Sequence, residues 1–202
     1  MERIDLDVLL RSPSRVEALR FELARGGVAS LPTETFYALA ADPRSEEGCR
    51  RVFEAKGRSA EKALPVLIAG RDDLDRLGVA ADARVLDRFL AIWPAPLTVV
   101  FPVGAGLPCV PGERSLAVRV PSHAGLRSLL GRIGPVTGTS ANRSGEDPAS
   151  SPETVAEVFG DRIDLLVDGG PTPGGRPSTI VDARIEPPRL LRAGAFPWPE
   201  TR

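Results

Sequence analysis

Apolar residues along the chain alternate between helical spacing and short continuous runs, which predicts helices and buried strands in alternation. A first helix is predicted over 14–25, because Ser14 and Glu17 have the spacing of a capping box and a Gly-Gly pair follows. The other predicted helices cover 45–55, 85–93, 124–130 and 151–159. The predicted strands cover 28–31, 64–68, 97–101, 115–120, 135–137, 165–167 and 178–181.

The arrangement of these elements predicts an α/β fold (α+β by strict usage) with a twisted mixed β-sheet flanked by helices. Strands 97–101 and 115–120 are joined by a Pro/Gly-rich link without helical periodicity, which indicates an antiparallel pair in the sheet. With 202 residues and 42% apolar content, the chain can form a single core. We therefore predict one domain over 1–196 and a surface-exposed or flexible tail over 197–202.

Composition and charge exclude several functional classes. A net charge of −1 gives no field that requires nucleic acid or an anionic membrane as partner, and no apolar run approaches the roughly 18 residues of a membrane span. The first residues lack the layout of a signal peptide, so we expect a cytoplasmic protein. Cys49 and Cys109 are expected to be reduced, and with His123 as the single histidine no metal site is predicted.

Most familiar catalytic motifs are missing from the chain. There is no G-x-S-x-G elbow, no paired-carboxylate motif, no P-loop and no Rossmann glycine fingerprint. Nucleotide handling remains, with a phosphate site built in another way. Four polar clusters lie at predicted strand or helix ends, where open α/β sheets bind ligands, and they cover 32–35, 56–62, 137–145 and 169–179.

Each cluster also has a purely structural interpretation. Thr33 and Thr35 can be turn hydroxyls that bond the backbone, and 138–142 can be a tight turn. The cations of 56–62 can form a solvated helix end. However, 24 of the 26 basic residues are Arg, and both lysines fall within this stretch, which hints at a need for a compact point charge.

An arginine within an apolar strand and a Gly/Pro-rich loop both require contacts that the local sequence does not supply. Arg119 alternates into an apolar strand, so it must face either an acidic residue or a ligand. The Gly- and Pro-rich loop over 169–177 is expected to be ordered only if something lies against it.

Taken together and in order, the polar clusters and the segments around them resemble the YrdC/TsaC family of threonylcarbamoyl-AMP synthases over nearly the whole chain. The matching segments are Leu-Pro-Thr-Glu-Thr-Phe-Tyr-Ala-Leu at 31–39, Lys-Gly-Arg at 56–58, Trp-Pro-Ala-Pro-Leu-Thr at 93–98, Ala-Val-Arg-Val-Pro at 117–121, Thr-Ser-Ala-Asn-Arg-Ser-Gly at 139–145, Asp-Gly-Gly at 168–170, Ser-Thr-Ile-Val-Asp at 178–182 and Leu-Arg-Ala-Gly at 191–194. The chain departs from the family at Ala38 and Ala40, where Gly is usual, and at Ser59, where Pro is usual. Leu67 stands where longer homologues have His.

The resemblance implies a YrdC-like fold with a deep basic cleft and an ATP-dependent reaction. L-Threonine, bicarbonate and ATP, with Mg²⁺ assisting, would give threonylcarbamoyl-AMP and pyrophosphate for the t6A37 modification of tRNA. Implied threonine-binding residues are Thr35, Arg119, Gly138 and Ser178. Implied ATP-binding residues are Lys56, Arg58, Lys62, Ser115, Ser140, Asn142, Ser150 and Arg192. Lys56 and Arg58 would act as a catalytic electrostatic clamp on the phosphates, not as acid, base or nucleophile.

Further partners implied by the resemblance are tRNA or double-stranded RNA and the proteins of the threonylcarbamoyl-transfer step. Two other functional interpretations remain open at this stage. One is a YciO-type paralogue that keeps the fold without a settled activity. The other is a double-stranded-RNA-binding module without catalysis, whose affinity would depend on one basic patch and fall steeply with salt.

Overall fold

The chain consists of short helices and strands in alternation. A computed structural model describes residues 1–57, 63–112 and 114–199. The helices in this part are α1 (Leu6–Arg11), α2 (Pro13–Ala24), α3 (Glu46–Lys56), α4 (Arg71–Arg76), α5 (Ala83–Leu90), α6 (Ala124–Ile133) and α7 (Pro152–Phe159). The strands are β1 (Glu2–Asp5), β2 (Ala29–Leu31), β3 (Ala38–Ala40), β4 (Val66–Leu67), β5 (Leu97–Pro102), β6 (Ser115–Arg119), β7 (Val136–Thr137), β8 (Thr139–Ser140), β9 (Leu165–Asp168), β10 (Thr179–Asp182) and β11 (Arg189–Arg192).

The strands form two mixed sheets, with orders β1-β9-β2-β3-β8 and β11-β10-β5-β6-β4-β7. This confirms the α/β class and the mixed pairing, but the strands divide between two sheets. The predicted antiparallel pair is β5 and β6, with Val99 opposite Val118 and Phe101 opposite Leu116. The chain passes from one sheet to the other at Gly138, which separates β7 from β8.

Strand alternation creates two apolar cores, one on each side of the sheets. Leu39 of β3 packs into the larger core with α3, α5 and α7. Its neighbours Ala38 and Ala40 point to the opposite face and pack into the smaller core with α1, α2 and α6. Val66 and Leu67 of β4 divide between the two cores in the same way. Helices therefore cover both faces, as the predicted pattern of elements requires.

The N-terminal prediction was wrong in its detail. No capping box forms at Ser14, because α2 begins earlier, at Pro13, with Ser12 as its N-cap. Proline is favoured at this first helical position because its fixed φ suits the helix and its missing N–H costs no hydrogen bond. The predicted helices over 45–55 and 151–159 are confirmed as α3 and α7, and each has a serine N-cap: the Ser45 hydroxyl accepts from the Gly48 amide and the Ser151 hydroxyl accepts from the Thr154 amide.

The C-terminal segment is less exposed than predicted. The Trp198 indole stacks on the Phe89 ring, with 6.1 Å between ring centroids and 16° between planes. Trp198 is partly buried against the larger core, so the prediction of a surface-exposed or flexible tail is wrong at this residue. An aromatic ring of this size stabilises the fold through the apolar area that it removes from water.

Both cysteines are free and buried in the larger core, as predicted. Burial away from water disfavours the thiolate and raises the pKa of Cys49 and of Cys109 to about 12. Their thiols therefore stay protonated in the folded chain at a pH where exposed cysteines ionise.

The two raised thiol pKa values predict a loss of stability at alkaline pH. Above the ordinary cysteine pKa the unfolded chain releases protons that the folded chain retains, so the free energy of unfolding falls as pH rises. Between about pH 9 and 10.5, we expect the free energy of unfolding measured in urea to fall by about 2 kcal/mol per pH unit more for the wild type than for C49A/C109A. Equal pH slopes for the two chains would contradict this prediction.

Candidate ligand-binding cleft

A cleft of about 360 Å³ opens where the ends of strands from both sheets meet. Hydroxyl groups, small residues and two arginines converge on it, beside an apolar wall. Its lining comprises Thr33, Thr35, Phe36, Tyr37, Ala38, Ala63, Pro65, Leu67, Thr98, Ala117, Arg119, Gly138, Thr139, Ser140, Pro148, Pro177, Ser178, Ile180 and Arg192. Three of the four predicted polar clusters thus contribute to one concave surface, and such a surface is typical of small-molecule sites.

A second groove, of about 390 Å³, lies between α2 and strands β1, β2 and β9. Its floor consists largely of apolar side chains from the smaller core, among them Ile4, Leu19 and Leu23. None of the predicted site residues lines this groove. The first cleft is therefore the better candidate site.

The turn after β2 gives its two threonines different roles. The Thr33 hydroxyl accepts hydrogen bonds from the amides of Thr35 and Phe36 and donates to the Phe36 carbonyl at 2.7 Å. The turn-hydroxyl interpretation therefore holds for Thr33. The Thr35 hydroxyl shares a 3.1 Å hydrogen bond with Thr33 and lines the cleft, where a ligand can reach it.

The Gly/Pro-rich loop over 169–177 is ordered by contacts within the protein. The Tyr37 hydroxyl donates to the Gly170 carbonyl at 2.8 Å and accepts from the Gly169 amide at 3.1 Å. The Gly174 amide donates to the Thr35 carbonyl at 2.8 Å. Sequence reasoning did not identify Tyr37 as a site residue, although a tyrosine in a buried segment needs a partner for its hydroxyl.

The sequence left open whether Arg119 faces an acidic residue or a ligand. In the structure Arg119 lies beside Glu34 and also forms part of the cleft wall. Its Nη1 lies 3.4 Å from Oε1 of Glu34, and only 7% of its side chain is exposed. Burial lowers the pKa of Arg119, and the Glu34 carboxylate acts in the opposite direction.

A second guanidinium, that of Arg192, faces the same cleft from β11. Its Nη2 donates to the Ser178 carbonyl at 2.7 Å, and the Ser178 hydroxyl lies 2.9 Å from the Thr98 hydroxyl. Burial lowers the pKa of Arg192, and the nearby positive charge of Arg119 lowers it further. Two cations that repel each other across a cleft favour an anionic ligand between them.

Lys56 lies behind the cleft, at the end of α3. It is 3% exposed, and its Nζ donates to the carbonyls of Ser140 and Asn142 at 2.5 and 2.8 Å and to Oδ1 of Asn142 at 3.3 Å. The interpretation of Lys56 as part of a solvated helix end is therefore excluded. Its ammonium anchors the loop 139–145, whose Ser140 hydroxyl donates in turn to Asn142 Oδ1 at 2.5 Å.

The remaining predicted residues differ in their placement. Gly138 lines the cleft at the crossover between the sheets, and a Cβ there would lie 2.4 Å from Cγ of Leu67, so a larger residue does not fit. Asn142, Ser115 and Ser150 do not line the cleft. Ser115 begins β6, about 13 Å along the strand from Arg119, and the Ser150 carbonyl accepts from the Thr172 amide. Arg58 and Lys62 lie outside the described residues.

Within the described ranges, no group of three His, Cys, Asp or Glu side chains is placed to hold a metal ion. No helix in that part of the chain has the length and apolar content needed to cross a membrane.

A mixed α/β fold with two arginines and a small-residue loop around one cleft is suited to binding small anionic molecules. The family model Sua5_yciO_yrdC, described as telomere recombination, matches residues 22–194. The chain therefore belongs to the Sua5/YciO/YrdC family.

Individual relatives agree with this assignment. The chain is 35% identical to the threonylcarbamoyl-AMP synthase of Pyrococcus abyssi over 96% of its length and spans 60% of that protein. It is 40% identical to the threonylcarbamoyl-AMP synthase of Xanthomonas campestris over 80% of its length, and covers 89% of that protein. The structure of P. abyssi Sua5 complexed with L-threonine superimposes with a TM-score of 0.82 at 34% identity, covering 92% of this chain and 56% of that one.

Replacement of Lys56 by Met is expected to loosen the loop 139–145. The Ser140 and Asn142 carbonyls would lose their donor, which costs about 1–3 kcal/mol in the free energy of unfolding. Hydrogen exchange of the loop amides should accelerate. The matched control is R50M, which removes an exposed cation from the same helix. If K56M and R50M have equal stability and loop exchange, Lys56 does not anchor the loop.

Gly194→Ala is expected to distort the Arg192 side of the cleft. A Cβ at this position would lie 2.3 Å from the Pro177 carbonyl oxygen and 2.4 Å from the carbonyl carbon of Ser178, so the backbone must move. We expect a loss of about 2 kcal/mol or more in the free energy of unfolding. G106A serves as control, because its added Cβ meets no atom within 4 Å. Equal stability of the two variants in urea would refute the close approach.

Proposed function

We propose that this chain is an L-threonylcarbamoyladenylate synthase, which forms threonylcarbamoyl-AMP and pyrophosphate from L-threonine, bicarbonate and ATP for the t6A37 modification of tRNA. The observation that carries the proposal is a pair of guanidinium groups in one hydroxyl-lined cleft, that of Arg119 buried in its wall and that of Arg192 more exposed, which suits a carboxylate and a phosphate chain side by side. The two curated relatives named above carry the same activity in their names, which supports it.

L-Threonine is assigned to the Arg119 side of the cleft. The guanidinium can bind the α-carboxylate through two parallel hydrogen bonds, and the hydroxyls of Thr35 and Ser178 can bond the remaining polar groups. Gly138 also lines the cleft at the crossover between the sheets, where the missing Cβ makes room for the side chain of Leu67. The L-threonine complex of the P. abyssi relative supports an amino-acid subsite in this fold.

The nucleotide is assigned to the opposite side, toward Arg192 and the loop that Lys56 anchors. Ser140 lines the cleft there, and the proposed ATP-binding set is completed by Arg58, Lys62, Ser115, Ser150 and Asn142, whose side-chain amide holds the shape of the loop. Under this assignment Arg58 would contact the phosphates, whereas Lys56 would contribute by fixing the Ser140–Asn142 backbone and by its positive charge.

The reaction requires charge stabilisation more than acid–base chemistry. A carbamate oxygen of N-carboxythreonine attacks the α-phosphorus of ATP, the bond to pyrophosphate breaks, and negative charge grows on the leaving group. Cations fixed beside the phosphates stabilise that charge more strongly in the transition state than in the ground state. Alignment of the two substrates in one cleft supplies a further part of the rate.

Mg²⁺ is proposed to enter as part of the ATP substrate. The described cleft lining offers hydroxyls and guanidiniums but no cluster of carboxylates, so it does not form a protein cage for the ion. Mg²⁺ commonly keeps several waters and binds through substrate phosphates, which fits this donor set.

The proposal also carries expectations about partners and location. The adenylate would pass to proteins that transfer the threonylcarbamoyl group to tRNA in the cytoplasm. A double-stranded-RNA-binding module is a weaker interpretation, because a cleft of about 360 Å³ has the size of a small-molecule site.

The direct test is incubation with ATP, L-threonine and bicarbonate, with pyrophosphate followed enzymatically and the adenylate by mass. We expect pyrophosphate release that requires both L-threonine and bicarbonate. Arg192→Gln should lower kcat/KM by about 10²-fold or more, because it removes a cation from the phosphate side.

The matched control is Arg189→Gln on the same strand, an exposed residue three positions earlier. It should leave the rate unchanged. Turnover without threonine, or no turnover, would contradict the proposed function and favour a YciO-type paralogue.

A further inference from the structure

Glu34 is a buried carboxylate without a hydrogen bond. It lies between the cleft residues Thr33 and Thr35, 13% of its side chain is exposed, and neither carboxylate oxygen accepts a hydrogen bond from any described residue. Buried polar groups are normally paired, because an unpaired carboxylate costs the full penalty of its desolvation. A residue that persists in this state needs a physical reason.

The neighbouring guanidinium of Arg119 supplies this reason. Within the described part of the chain, the Arg119 guanidinium also makes no hydrogen bond, and its contact is the 3.4 Å ion pair with Glu34. The other nearby charge, that of Arg192, repels it. The position of the guanidinium in the cleft wall therefore depends on electrostatic attraction by the Glu34 carboxylate.

We infer that Glu34 is a positioning residue that holds the Arg119 guanidinium in the orientation that binds the α-carboxylate of the amino-acid substrate. The inference rests on the proposed function. An ion pair at 3.4 Å without a hydrogen bond attracts the guanidinium while leaving its N–H donors free for the ligand. A tighter bidentate pair would have used the donors that substrate recognition needs.

Removal of the Glu34 charge has two opposing effects on threonine binding. The cleft becomes more positive, which would strengthen carboxylate binding if Arg119 stayed in place. However, burial of the Arg119 guanidinium costs desolvation free energy that no ion pair would then offset. Arg192 also repels the guanidinium, so it should turn toward water. Bidentate recognition depends on orientation, and we expect the loss of orientation to dominate.

The test is a double-mutant cycle on binding. L-Threonine affinity is measured by ligand-observed NMR, which still detects weak complexes, for the wild type, E34Q, R119M and E34Q/R119M. We expect E34Q to bind L-threonine at least about tenfold more weakly, while its affinity for a non-hydrolysable ATP analogue stays within about twofold. In the R119M background, E34Q should have no further effect, because Glu34 acts through Arg119.

Two variants control for other effects. E186Q neutralises an exposed carboxylate that pairs with Arg88, and it should bind L-threonine like the wild type. E34D retains the charge on a shorter side chain and should bind L-threonine with intermediate affinity. The double variant E34Q/R119M buries no uncompensated charge, so its unfolding temperature should exceed that of R119M.

The outcomes separate this inference from the proposed function. E34Q binding that equals or exceeds wild-type binding would overturn the inference, and so would a tenfold loss that persists in the R119M background. If the wild type makes the adenylate while E34Q binds L-threonine normally, the inference alone fails. If the wild type neither binds L-threonine nor releases pyrophosphate, the proposed function fails and this role of Glu34 with it.

Discussion

Two guanidinium groups of like charge, those of the buried Arg119 and the more exposed Arg192, face one cleft. This arrangement is unfavourable in the free protein, and several contacts around it keep it in place. Glu34 attracts one guanidinium, and the Ser178 carbonyl accepts hydrogen bonds from the other. An anion between the two cations offsets their mutual repulsion, which favours anion binding at this cleft.

The fold supplies this cleft through two close backbone approaches where only glycine fits. At Gly138 the chain crosses from β7 in one sheet to β8 in the other, which brings strand ends from both sheets together. At Gly194, after β11, the chain passes against the backbone of Pro177 and Ser178 just before β10 of the same sheet. The polar clusters thus converge because of backbone packing, and Lys56 then anchors the loop 139–145 from behind the cleft.

Features with a local cause were predictable from the sequence. The helices α3 and α7 and the β5–β6 pair follow from neighbouring residues, and they are confirmed. Strands of two to four residues, such as β1, β3, β8 and β11, were missed because they exist through pairing with distant strands. The partners of Lys56 lie 84 and 86 residues away, so its charge gave no signal of burial. The sequence correctly predicted that Arg119 needs a partner, but it did not identify Glu34 as that partner, because the motif around Glu34 was interpreted through its threonines.

A crystal structure with L-threonine and a non-hydrolysable ATP analogue tests most directly the claim that the two arginines divide the cleft between carboxylate and phosphates. We expect the threonine carboxylate to lie within hydrogen-bond distance of the Arg119 guanidinium. We expect the triphosphate to lie between Arg192 and the loop 139–145. Either ligand bound elsewhere, for example in the groove beside α2, would contradict it. So would a triphosphate on Arg119.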